Sequence, residues 1–113
     1  MQDRFKFRHW DKRINKMFYP ERNDNFSYYV NNSDIIETMQ CTGLKDKNGT
    51  LIYEGDVVKD DHEALHQVKW CYNCFELYPL FKDGYTIGIV NDEIEVIGNI
   101  YENPELLEVE NER

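Results

Sequence analysis

The chain has 113 residues and a net charge of −9, with 41% hydrophobic, 31% charged and 14% aromatic residues. That length closes one modest hydrophobic core and excludes two independent ones, and eight Tyr, six Phe and two Trp exclude a disordered chain. No apolar run approaches the roughly 20 residues that span a bilayer, the first residues lack a signal-peptide apolar stretch, and three cysteines do not make a secreted disulfide framework, so a cytoplasmic protein with reduced thiols and no membrane contact is expected.

Charge divides the chain unevenly. Residues 1–22 hold seven Lys or Arg against three Asp or Glu, a local charge of +4 that leaves −13 on the remainder. A basic arm beside an acidic body either pairs with it or reaches phosphates, and pairing within the chain is the favoured reading.

In chain order, Arg4-Phe5-Lys6-Phe7-Arg8-His9-Trp10 alternates aromatic and basic residues, 11–15 is polar, and Lys16-Met17-Phe18-Tyr19 resumes an apolar run. This predicts an N-terminal β-hairpin ending at Pro20, although Ile14, Met17 and Phe18 also fit one helical turn. Residues 20–34 are rich in Asn, Asp and Ser around Phe26-Ser27-Tyr28-Tyr29-Val30, which predicts a loop holding one short strand. A β-prone run from Ile35 to Thr42 is closed by Gly43, and Asn48-Gly49 marks a turn. Gly55-Asp56 then divides Leu51-Ile52-Tyr53 from Val57-Val58 as a turn or bulge.

Residues 64–75 fit a helix through Leu65, Val68, Tyr72 and Phe75, and a strand through Val68, Trp70, Tyr72 and Cys74. Residue type favours strands at Gln67–Trp70 and Phe75–Tyr78, hinged at Cys71–Cys74. Further strands are expected at Tyr85–Val90 and Ile94–Tyr101, then a helical turn at Glu105-Leu106-Leu107 with Asn103 as its cap. The sum is an all-β single domain: hairpin and loop over 1–33, a small barrel-like part over 34–108, and a charged tail over 109–113.

Three stretches carry a family likeness: Phe7-Arg8-His9-Trp10-Asp11 with Met17; Met39-Gln40-Cys41-Thr42-Gly43-Leu44-Lys45-Asp46-Lys47-Asn48-Gly49 running on to Ile52-Tyr53-Glu54-Gly55-Asp56-Val57-Val58; and Val96-Ile97-Gly98-Asn99-Ile100-Tyr101-Glu102-Asn103-Pro104-Glu105-Leu106-Leu107. In these the chain resembles the YopX family of bacteriophage proteins. The resemblance implies phage or prophage origin, hence a bacterial host cytoplasm, and a Src-homology-three-type barrel in the C-terminal part. It implies no activity. Within the shared stretches, Lys45, Tyr53, Glu54 and Asp56 are a candidate binding surface, set against a favoured reading in which such residues shape loops.

Chemistry is sparse. His62-Glu63-Ala64-Leu65-His66 matches the zinc-hydrolase pattern His-Glu-x-x-His, but that pattern needs a helix and a third ligand, and a β-prone run begins at Gln67. Cys71 and Cys74 with the two histidines would count as four zinc ligands, or alone as a redox pair. A hairpin with both cysteines at its tip puts the histidines at the other end of a strand. There is no phosphate loop, serine-nucleophile motif or calcium-loop spacing, so no catalytic residue, metal or cofactor is assigned.

The reading is therefore a non-enzymatic accessory protein that binds a host or phage protein, with room for self-association. The alternatives are weak nucleic-acid binding through the hairpin, with Arg8, Lys12 and Arg13 foremost and Arg4, Lys6 and Lys16 beside them, and an acidic body that mimics nucleic acid. His9 and Trp10 could stack on a base, or simply divide a buried face from a wet one.

Overall fold

The computed structural model describes residues 5–21, 25–71, 74–78 and 91–106. They form two four-stranded antiparallel sheets, one of them curled into a half-barrel, with almost no helix. The first sheet has the order β2 (Lys16–Phe18), β1 (Phe7–Asp11), β3 (Ile36–Lys45), β4 (Leu51–Tyr53). The second runs β7 (Cys74–Tyr78), β6 (Leu65–Cys71), β5 (Asp56–Lys59), β8 (Glu95–Asn99). The all-β expectation holds, and so does the N-terminal hairpin, registered as His9↔Phe18 and Trp10↔Met17. The expected strand over Tyr85–Val90 lies outside the described residues. No helix among the described residues is long and apolar enough to cross a membrane.

Two apolar clusters hold the sheets. Ile52, Val58, Val68, Leu77 and Ile94 are fully buried, with Leu44, Phe75 and Val96 packed around them. Because Leu44 and Ile52 belong to the first sheet, this cluster fastens one sheet to the other, at about 1.5–3 kcal/mol per buried side chain. The second cluster joins Trp10, Met17 and Met39 to Tyr101, which follows β8.

Three local expectations are corrected. Phe26–Asn31 is a helix, α1, not a strand. Aromatics two and three residues apart, at 26, 28 and 29, suit either form, but helical spacing puts Phe26 and Tyr29 on one face. Phe26 then meets Phe7 at 4.8 Å and Tyr29 stacks on His9 at 3.8 Å. Gly43 does not close β3, which passes through it at φ 83° with a register shift between Cys41 and Lys45, the mark of a bulge. Asn103 does not cap by its side chain, whose oxygen accepts from the Asn99 amide at 3.2 Å; the turn is closed by the Leu106 amide on the Asn103 carbonyl.

A repeated turn is hidden in unlike sequences. In the β3–β4 loop, Asp46 Oδ1 accepts from the amides of Asn48 and Thr50 (both 2.9 Å), and its Oδ2 accepts from Val96 N on β8 at 2.8 Å. In the β5–β6 loop, Asp60 Oδ1 accepts from His62 N (2.8 Å) and Ala64 N (2.9 Å). The fourth residue of each turn is left-handed, Gly49 at φ 84° and Glu63 at φ 64°. Glycine adopts that geometry without strain, whereas an L side chain costs about 1–2 kcal/mol.

Reciprocal substitutions check this. Glu63→Gly should raise stability by about 1 kcal/mol and Gly49→Ala should lower it by about the same, read as shifts in urea midpoint at constant slope. Asp46→Ala, which strands three amides, should cost about 3 kcal/mol in the same experiment.

Candidate functional site

The basic hairpin is drawn into the fold. β1 lies between β2 and β3 and is covered on both faces, so Arg8, His9, Trp10 and Asp11 are all buried. Burial lowers the His9 pKa, favouring the neutral ring that stacks on Tyr29. Arg8 crosses to the β4–β5 corner, where Nη2 meets Asp56 Oδ1 at 2.8 Å and donates to the Glu54 carbonyl at 3.1 Å. Its Nη1 donates to the Tyr19 hydroxyl at 3.4 Å, and its guanidinium lies 4.8 Å from the Tyr53 ring centre. Arg8 Nε has no hydrogen-bond partner among the described residues. At 2% exposure Arg8 is not a surface contact for phosphate.

Lys12 and Arg13, the other two foremost basic candidates, are also engaged, and Arg4 lies outside the described residues. Lys12 is half-exposed and meets Glu37 Oε1 at 3.0 Å, while Arg13 is exposed and its Nη2 meets Asp11 Oδ2 at 2.9 Å. The bond from Arg13 holds the Asp11 carboxyl below its ordinary range.

Of the candidate surface Lys45, Tyr53, Glu54 and Asp56, three gather around Arg8 and Lys45 stands apart at the exposed end of β3. Asp56 is 2% exposed and its Oδ2 accepts from Tyr53 N at 2.7 Å. Burial pushes the Asp56 carboxyl up to about 6 against the opposing pull of Arg8 and the Tyr53 amide, and pushes the Tyr53 hydroxyl up to about 12. Tyr53 and Asp56 are thus buried against Arg8 and brace the interior at the corner, whereas Glu54 keeps part of its surface exposed.

The His-Glu-x-x-His spacing is not helical. His62 and Glu63 sit exposed in the turn, whereas His66 is buried on β6 with Nε2 2.8 Å from Asp60 Oδ2. Burial raises the Asp60 pKa, but the bonds from His66 and the Ala64 and His62 amides outweigh it and hold the carboxyl below its ordinary value. Among the described residues no three His, Cys, Asp or Glu are placed to hold a metal ion. Cys71 and Cys74 are the last registered pair of the β6–β7 hairpin, as the strand reading expects; Tyr72 and Asn73 between them lie outside the described residues.

What the sequence reading missed is a cleft of about 260 Å³ between the sheets. Glu37 to Met39 form one wall and Gln67 to Trp70 the other, with the Glu54-Gly55 turn, Ile100 and Tyr101 between them. Two bonds splay the walls apart at the corner: Glu54 N donates to Gln40 O on β3 at 2.9 Å, and Gly55 N to Val68 O on β6 at 2.8 Å. Trp70 shares the face of the fully buried Val68, yet is 51% exposed. Tyr101 stacks on Trp10 at 5.8 Å, and its hydroxyl pKa is raised first by burial and then by the charges of Glu37 and Glu54. Both carboxylates thus act on the cleft. The parity of Trp70 with Val68 was a readable signal; Glu37 and Tyr101 arrive from distant segments.

A family model described as YopX protein matches residues 20–108. Among solved structures, protein EF1440 from Enterococcus faecalis is similar at 28% identity and TM-score 0.68, over 90% of this chain and 96% of that one. Protein yopX from Bacillus subtilis is similar at 22% identity and TM-score 0.63, over 91% and 98%. No curated protein matches significantly.

Two measurements test the corner. Arg8→Met, which leaves Asp56 buried and unpaired, should cost about 3–5 kcal/mol, and Arg8→Met with Asp56→Leu should recover much of it. The Asp56 carboxyl carbon should titrate in NMR with a midpoint near 6. A carboxyl with a folded pKa above its unfolded value favours the fold below about pH 4 and loses that contribution as pH rises through 6, roughly 3 kcal/mol in all.

Proposed function

The chain belongs to the YopX family, and we propose that it is a non-enzymatic protein that binds another protein through the cleft between its sheets. One observation carries the reading: where the two sheets part, a half-exposed Trp70 and the Tyr101 ring line a concave surface on the core side of the fold. Exposed aromatics in a depression are the usual anchors of protein contacts. The described titratable clusters, by contrast, have structural work. Arg8 and Asp56 brace the corner, Asp46 and Asp60 organise turns, and His66 is held by Asp60. The family resemblance supports a host or phage protein as partner. The basic hairpin supports nucleic-acid binding less well, since Arg8 is buried and Lys12 and Arg13 are ion-paired.

Site-specific photo-crosslinking in host cells tests this. A benzophenone amino acid replacing Glu37 on the cleft wall should give a discrete protein adduct, and one replacing Lys47, in the exposed turn past the far end of β3, should not. Nucleic-acid adducts alone, equal protein adducts from both positions, or none from either would overturn the reading.

A further inference from the structure

On the reading that the cleft is a protein contact, we infer that its occupant is an extended, arginine-bearing peptide segment that adds as a strand beside β3. The backbone argues for strand addition. Cys41 N donates to Lys6 O and Lys12 N to Ile35 O, each at 2.9 Å, so the odd-numbered residues of this part of β3 bond to β1. The even-numbered residues face the other side, where Gln40 O accepts from Glu54 N. β4 pairs with β3 only at Cys41 and Lys45, so the amide and carbonyl of Thr38 lie beyond its end and point into the cleft. The opposite wall repeats the arrangement. Val68 O accepts from Gly55 N, Trp70 points its backbone groups to the same side, and β5 pairs with β6 only as far as Gln67. A cleft flanked by two strand edges that outrun their neighbours is shaped for an incoming strand.

The side chains specify what that strand carries. Glu37 and Glu54 act on the Tyr101 hydroxyl from the β3 side and the corner, and the aromatic lining residues are Trp70, edge-on to Phe75 at 4.7 Å, and Tyr101, stacked on Trp10 at 5.8 Å. A planar guanidinium satisfies both, stacking on a ring while its N–H groups bond a carboxylate, which a lysine ammonium does less well. Lys12 already meets Glu37 from the surface, so an arriving arginine would share or displace a half-exposed cation rather than break a buried pair. A net charge of −9 attracts such a segment from a distance and repels acidic ones.

The test uses the full chain, immobilised, and a displayed library of random dodecapeptides, followed by the most enriched member as a synthetic peptide. Enrichment of arginine in alternating, β-prone sequences is expected. Trp70→Ala should weaken binding by about 30-fold, as for an interface anchor, and Glu37→Gln with Glu54→Gln by about ten-fold with loss of salt dependence. N-methylation of alternate peptide amides should abolish binding in one register only, with slowed exchange of the Thr38 amide in the unmethylated complex. Apolar or acidic peptides that bind and depend on Trp70 would overturn the proposed chemistry while leaving a protein-binding cleft. Peptides indifferent to all three substitutions, or no enrichment at all, would overturn the site. Sedimentation separates the remaining occupant: dimers that the Trp70→Ala variant dissolves would assign the cleft to a second copy of this chain and overturn the inference.

Discussion

The Arg8–Asp56 ion pair is the constraint around which the rest of the fold is arranged. It joins the central strand of the first sheet to the first residue of β5 in the second, with both side chains almost wholly removed from water. Removing two charges from water costs several kcal/mol, which only close geometry and added hydrogen bonds offset. The surroundings supply these: the Tyr53 amide on the carboxylate, the Glu54 carbonyl and Tyr19 hydroxyl on the guanidinium, and the Tyr53 ring beside it. Such a pair has narrow geometric tolerance. It therefore sets how β1 faces the corner, and through the corner how far the two sheets separate. Gly55 belongs to the same arrangement, because at φ 89° a Cβ there would stand 3.2 Å from Met39 Sδ and 3.6 Å from Arg8 Nη2.

The acidic composition has a local structural meaning. Asp46 and Asp60 are nearly buried and each collects backbone amides that a tight turn leaves without carbonyl partners. Asn99 does the same with its neutral side chain, accepting from Tyr101 N at 3.0 Å and Glu102 N at 2.8 Å. A carboxylate serves this role better than a hydroxyl because two oxygens accept several amides and the charge strengthens each bond. Asp46 extends it beyond its own loop by reaching Val96 on β8, so one side chain both shapes a turn and ties the sheets together.

Strand positions were legible where alternation and turn chemistry agreed, as in the hairpin around residues 11–15, the Asn48-Gly49 turn and the Cys71–Cys74 corner. Positions were illegible where a residue's partner comes from elsewhere in the chain. Arg8, alternating with aromatics, reads as the wet face of a hairpin until Asp56 and Tyr53 are brought over it. The Phe26–Asn31 helix was hidden because a short run with aromatics at two- and three-residue spacing fits both periods, and the rings of Phe7 and His9 decide between them. The turn at Asp60 was concealed by Glu63, which occupies a backbone conformation that sequence rules reserve for glycine. The cleft is a property of four segments meeting, and only Trp70 carried a local trace of it.

The central place of β5 has a bearing on how the chain assembles. Its pairing with β6 is local, but its other edge waits for β8, with Val57 opposite Gly98 and Val58 opposite Val96. Closing so long a loop loses entropy before any contact returns it, so topology alone favours the hairpins β1–β2 and β6–β7 ahead of β8 in the order of assembly. During synthesis β5 leaves the ribosome well before its second neighbour exists, with the apolar Val57 and Val58 on an unpaired edge. A nascent chain halted in that interval presents a sticky, half-finished sheet, and docking of Ile94 with β8 is the step that ends the exposure.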